Sequence, residues 1–298
     1  MKDDESINRP GSFGRPLFHG SRDSPPPSER IEVEFGARSR QGLLRPVNSD
    51  HYLIARMGRS HETLMTSLPK GEMPQRFDEF GYGMLVADGM GSAGEAASRL
   101  TISALVHLVI YFGKWNLRVD EIIAEEIMER VDRFCRTVDS TLRDASQNNP
   151  QPLKAALTAV YFAGTDLIFA HVGHSRAYLF RDDWLMQLTR DHTLDRLRPG
   201  KLAIVDMAAS TRDRHHIVTE TLGTAGSIDV ERCGLLDGDL LLLCTNGLTD
   251  VVDDASIANV LRSHCTPDDQ CRELTDLAAN SRGDDNVTAV VAHYRIRA

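Results

Sequence analysis

The sequence predicts an α+β fold in which sheet packs on sheet with helices outside. Three observations carry this expectation: short apolar strand patterns along the chain, two pairs of helical patterns between them, and no strict β-α-β alternation. At 298 residues, 41% hydrophobic and 26% charged, the chain can bury a substantial core in one large domain or two small ones. A net charge of -9 argues against a nucleic-acid-binding surface. The longest apolar run, Ala104 to Phe112, contains His107 and is too short to cross a bilayer, so no membrane association is expected. The first thirty residues show no signal-peptide pattern. The five cysteines have no C-x-x-C spacing, which fits reduced thiols and a cytoplasmic location.

In order, residues 1–30 are rich in Ser, Pro, Gly, Arg and Asp and read as a disordered tail, leaving 31–298 as the domain. "IEVEFGARS" from Ile31 alternates as a strand does, and "RPVNSDHYLIA" leads into a second short strand. Residues 56–80 are polar, hold Gly71 and Pro74, and read as an inserted loop with one helical turn around Glu62 to Leu68. Met84 to Ala87 form a strand running into Asp88-Gly89-Met90-Gly91, and a helix begins near Gly94 with Glu95 in its first turn. Ala97, Leu100, Ala104 and Leu108 line one face of that helix. Ile123, Ile127, Val131, Phe134, Val138 and Leu142 line the next. "ALTAVYFAG", "DLIFAHVG", "RAYLFRD" and "WLMQLT" read as an antiparallel meander, and 190–216 as a flap. A buried strand in "DGDLLLLCTNG", helices over Ala255–His264 and Asp268–Asn280, and a last strand in "DDNVTAVVAHYRI" complete the chain.

The chemistry gathers at strand ends. Asp88, Asn246 and Asp285 end or precede strands, and Asp50 stands just before another. Alone, the Asp88 turn reads equally as a capping turn. Together the four place hard oxygen donors where one rim of a sandwich could collect them, a set suited to Mg²⁺ or Mn²⁺. Two such ions can hold a hydroxide for in-line attack on a phosphate. Arg45 is placed to hold the phosphate through its planar fork.

These segments bring a family into view. "RPVNSD", "VADGMG", "AHVGHSRAYLFRD", "LTRDHT", "ETLG", "LLLCTNGLTD" and "DDNVT" occur in the order found in metal-dependent protein phosphatases of type 2C. The chain resembles that family from about Ile31 to Arg295, and Met90 makes the resemblance bacterial-type. The resemblance implies a four-layer α-β-β-α sandwich of two antiparallel sheets. It also implies two Mn²⁺ or Mg²⁺ ions and hydrolysis of phosphoserine or phosphothreonine by a metal-bound hydroxide. Asp88 is then implied to bridge the metals, Gly89 to offer its carbonyl to one, Asp285 to bind the other, and Asp50 to hold a metal-bound water. Arg45 is implied to bind the substrate phosphate. A phosphoprotein substrate, a partner Ser/Thr kinase and a monomeric state complete the expectation.

Departures from the pattern bear on activity. Asn246 stands where the family has an Asp ligand, so one negative charge is missing and a preference for Mn²⁺ over Mg²⁺ is expected. His174 replaces the Asp of G-D-S-R, a position for a third ion, and is open to a role as a proton donor. "PLKAALT" replaces a Gly-x-Gly-Thr-Thr stretch, and Ser92 replaces a glycine. Two readings follow: a working phosphatase, and a pseudophosphatase that keeps the fold to bind phosphoproteins. His171 reads as a core histidine and Cys244 as a small core residue.

Overall fold

The computed structural model describes residues 30–69, 72–114, 116–193, 218–281 and 283–297. The chain runs β1 (Ile31–Arg40), β2 (Asp50–Glu62), β3 (Arg76–Met90), α1 (Gly94–Phe112), α2 (Glu121–Gln147) and β4 (Lys154–Ala163). It continues through β5 (Asp166–Val172), β6 (Arg176–Arg181), β7 (Trp184–Gln187), β8 (Asp229–Gly234) and β9 (Leu240–Cys244). The single turn α3 (Asn246–Thr249), then α4 (Asp254–Arg262), α5 (Pro267–Ser281) and β10 (Val287–Ile296), close it. One sheet has the order β1-β10-β9-β6-β7 and the other β2-β3-β4-β5-β8. Every pairing is antiparallel.

Strand alternation builds the layers. Met84 and Val86 of β3 face Leu241 and Leu243 of β9 and Val290 and Ala292 of β10 in a core between the sheets. The intervening Leu85 and Ala87 face the other way, toward Ala97 and Leu105 of α1 and Val138 and Leu142 of α2. Leu240, Leu242 and Cys244 likewise meet Ile257 of α4 and Leu274 of α5. Both faces of the central strands are therefore covered, which is why these strands read as continuous apolar runs. Helices on both outer faces complete the expected α-β-β-α sandwich. α1 is long and apolar enough to cross a membrane by length and composition alone, yet it packs on β3, β4 and α2.

Three expectations change. The insertion at 56–80 is strand at both ends, over 56–62 and 76–80. β2 and β3 pair from Asp50↔Asp88 out to Glu62↔Arg76, and no helical turn forms at Glu62 to Leu68 among the described residues. Charge, not an apolar stripe, holds this outer hairpin. The fully buried Glu79 accepts Arg59 Nη2 on Oε2 at 2.5 Å and Arg118 Nε on Oε1 at 2.8 Å. The Arg56 and Arg59 guanidiniums also lie over the Phe80 and Phe77 rings. Glu79→Ala removes one partner from each of two half-exposed arginines that water can resolvate. A loss of about 1–3 kcal/mol in urea unfolding, with unchanged m, is expected.

The second change concerns the meander, which is really two hairpins on different sheets: β4–β5 belongs to one and β6–β7 to the other. The chain crosses between them at Gly173-His174-Ser175. Gly173 has φ +106°, and a Cβ there would sit 2.4 Å from Ala156 Cβ. Third, β8 was not anticipated; its burial alternates weakly, and it is an edge strand. The expected tail (1–29) and most of the expected flap (194–216) lie outside the described residues.

Candidate active site

The site forms at one rim where the sheets meet. Asp50 and Asp88 are directly opposed on β2 and β3 of one sheet. Thr245 follows β9, and Thr288 lies near the start of β10, on the other sheet. Both threonine hydroxyls donate to Asp50 Oδ2, at 2.7 and 2.8 Å. A carboxylate on one sheet is thus clamped by two hydroxyls from the other. The sequence reading missed Thr245 and Thr288, although both sit inside the recognised segments "CTNG" and "DNVT".

Electrostatics follow from this crowding. Burial, reinforced by Asp88, pushes the Asp50 carboxyl well above its ordinary range, against the two threonine hydrogen bonds. Burial and the Asp285 charge raise Asp88 to about 7, with Arg45 opposing. Gly89 and Gly94 are pressed together behind it: a Cβ on Gly89 would lie 1.8 Å from the Gly94 carbonyl oxygen. Only two glycines permit this approach of strand end to helix start.

The remaining ligand candidates engage protein partners. Arg45 donates Nε to Asp285 Oδ1 and Nη2 to Asp285 Oδ2, both at 2.7 Å. Asn246 opens α3 and donates Nδ2 to Asp250 Oδ2 at 3.0 Å. Asp250 is a third residue that sequence reading passed over, although it closes the "TNGLTD" segment; its charge bears on both Asp88 and His174. Among the described residues no three Asp, Glu, His or Cys side chains already form a ligating cluster. The donor chemistry nevertheless fits a divalent ion, because the Asp285 charge raises the cost of ionising both Asp50 and Asp88, Asp88 adds to that of Asp50, and a cation would relieve it.

His174 comes to this rim, with Nε2 3.8 Å from Asp88 Oδ2 and a buried Nδ1 that has no hydrogen-bond partner among the described residues. Burial lowers its pKa against the pull of Asp250. The neutral form is therefore favoured, which suits a nitrogen donor better than an acid. Behind it, His171 is fully buried and bonded to Thr158 Oγ1 and the Gly173 carbonyl, so it is a satisfied core histidine. His192 accepts from Gly173 N on Nδ1 and donates Nε2 to Asp229, pinning the crossing loop. Cys244 is buried, and burial lifts its thiol to about 12, which makes it inert.

A sandwich carrying carboxylates from both sheets at one rim, beside an arginine, is the architecture of the metal-dependent phosphatases. The chain matches protein phosphatase 2C over residues 75–280 and belongs to that family, in its bacterial form. It is 30% identical over 270 residues to the serine/threonine protein phosphatase PstP of Mycobacterium tuberculosis, which covers 88% of this chain. The match takes in 45% of that relative, so the chain spans less than half its length. The serine/threonine phosphatase stp of Listeria innocua is 30% identical over 221 residues, covering 72% of this chain and 84% of its own. The solved catalytic domain of M. tuberculosis PstP in complex with two manganese ions superimposes with a TM-score of 0.65 at 28% identity. That likeness covers 89% of this chain and 99% of the solved one.

Proposed function

We propose that this protein is a metal-dependent protein serine/threonine phosphatase that hydrolyses phosphoserine or phosphothreonine without a phosphoenzyme. The observation that carries the reading is the meeting of Asp50 and Asp88 from one sheet with Asp285, just before the other sheet's β10, beside Arg45. Asp88, the Gly89 carbonyl and Asp285 are the groups that would hold two divalent ions, with the Asn246 carbonyl as a weak fourth donor. Bound ions of this kind supply positive charge against phosphate oxygens and lower the pKa of water. Arg45 takes two phosphate oxygens through its fork and aligns phosphorus for attack. Asp50, with its raised pKa, accepts the proton that the attacking water loses. His174 contributes a neutral nitrogen beside Asp88, which favours Mn²⁺ over Mg²⁺.

A second reading, a pseudophosphatase that binds phosphoproteins, draws on the Asn246–Asp250 bond, which turns an amide N–H donor toward the carboxylate. The two readings separate on one experiment. Metal-stripped protein is titrated with Mn²⁺ or Mg²⁺ against p-nitrophenyl phosphate and a phosphothreonine peptide. Turnover that saturates at lower Mn²⁺ than Mg²⁺ is expected. Absence of turnover at millimolar Mn²⁺ would select the second reading.

A further inference from the structure

We propose that the cavity between the sheet β2-β3-β4-β5-β8 and the helices α1 and α2 is a binding site for a free long-chain carboxylate. The inference stands apart from the phosphatase reading, because the cavity lies away from the Asp50–Asp88 rim. Asp50 opens β2 and Asp88 lies near the end of β3. The cavity is lined instead by residues 55–58 of β2, 83–85 of β3 and the C-terminal half of α1. Its volume is about 490 Å³. Small-molecule sites span roughly 300–1,000 Å³.

Small residues in the sheet make this space. Ala155, Leu157, Ala159 and Tyr161 share one face of β4, the central strand of its sheet. Near the rim, opposite Gly89 and Ala87, Ala155 and Leu157 are fully buried under the helices. Further along, Ala159 and Tyr161 are only partly buried, although a central strand beneath two helices is ordinarily covered. The floor there is short: Ala55 pairs with Gly83, and Ala159 with Ala170. Val109 of α1 and Phe134 of α2 roof it, and Ile110, 55% exposed, lines the opening to solvent. The lining is mostly apolar, yet the three charged residues in it among those described are all cations: Arg56, Lys114 and Arg130. Glu126 answers two of them, accepting from Arg130 Nη2 at 3.0 Å and from Lys114 Nζ. Arg56 lies 5.3 Å from the centre of the Phe80 ring and bonds no carboxylate among the described residues. In a chain of net charge -9, this positive excess is local. A hydrocarbon tail suits the walls, and a carboxylate head suits the exposed Arg56 and Lys114; a neutral apolar molecule would leave those cations unused.

The experiment is displacement of the fluorescent fatty acid parinarate from the full chain by dodecanoate, dodecanol or dodecyltrimethylammonium, each below its micelle concentration. Dodecanoate should displace parinarate about tenfold better than dodecanol, and the ammonium compound worst of the three. Ala159→Leu grows a side chain into the cavity, so it should weaken dodecanoate by about tenfold or more while the melting temperature holds or rises. Ala55→Leu, on the edge strand β2, makes the same test if circular dichroism shows Ala159→Leu unfolded. Arg56→Gln combined with Lys114→Gln should weaken dodecanoate about three- to tenfold and leave dodecanol unchanged. Parinarate that does not bind wild type, or dodecanoate that binds the folded filled variants as tightly as wild type, would overturn the site. Dodecanol that equals dodecanoate, or loses as much in the double variant, would overturn the carboxylate head. Phosphatase turnover has no part in these readouts, so failure here leaves that reading standing, and failure of that reading leaves this one.

Discussion

Asp88→Asn is expected to lower Mn²⁺-dependent turnover by on the order of 10³-fold or more while leaving the fold intact. Outer-shell partners of metal ligands commonly cost about 10–100-fold when removed, and in the function proposed above Asp88 would touch the metals themselves. The same variant should show the opposite sign in stability. Burial and the Asp285 charge raise Asp88 to about 7 in the folded protein, above its ordinary carboxylate value. A raised carboxyl contributes stability that is complete below the unfolded pKa and is lost as pH rises through the folded one. In EDTA, wild type should therefore lose stability relative to Asp88→Asn by about 2 kcal/mol between pH 5 and pH 8. Urea unfolding at the two pH values reads this directly. Equal pH dependence in the two proteins would mean that Asp88 ionises in the fold as freely as it does in water.

Asn246→Asp should have the next largest effect. Asn246 Nδ2 now donates to Asp250 Oδ2 at 3.0 Å. An Asp at 246 would replace that hydrogen bond with two facing carboxylates one helical turn apart, close to Asp88. In EDTA the variant should melt lower than wild type, because the new charge has no partner. With Mn²⁺ the order should reverse. The added carboxylate should tighten Mn²⁺ binding by about tenfold or more, since ligand charge sets affinity at oxygen-donor sites. Turnover at limiting Mn²⁺ should rise in step. A variant with unchanged Mn²⁺ affinity would place residue 246 outside the metal's reach. The Asn246–Asp250 bond would then be simply a bond within the first turn after β9.

The periodic parts of this protein were readable in its residues. The alternation of Ile31 to Arg40, the three-and-four spacing of Ile123 to Leu142, and the apolar run of Leu240 to Cys244 each describe a local surface. A local surface depends only on near neighbours in the chain. The ordered segments "RPVNSD", "VADGMG", "TNGLTD" and "DDNVT" likewise carried the family and the rim at which Asp50, Asp88 and Asp285 meet. The polar hairpin at 56–80 was misread because its alternation is held by the Glu79 ion pairs, which apolar periodicity does not record. By itself, then, the sequence determined the family and the order of elements apart from β8 and the hairpin at 56–80.

Tertiary structure decided the pairings. It sent β5 and β6 to different sheets through the Gly173 turn, set Thr245 and Thr288 on Asp50 across about two hundred residues of chain, and matched Arg45 to Asp285. The physical reason is that spacing along the chain encodes which face a side chain occupies. Which partner meets that face depends on how two twisted sheets and their helices close over a shared core, and no stretch of local sequence contains that information.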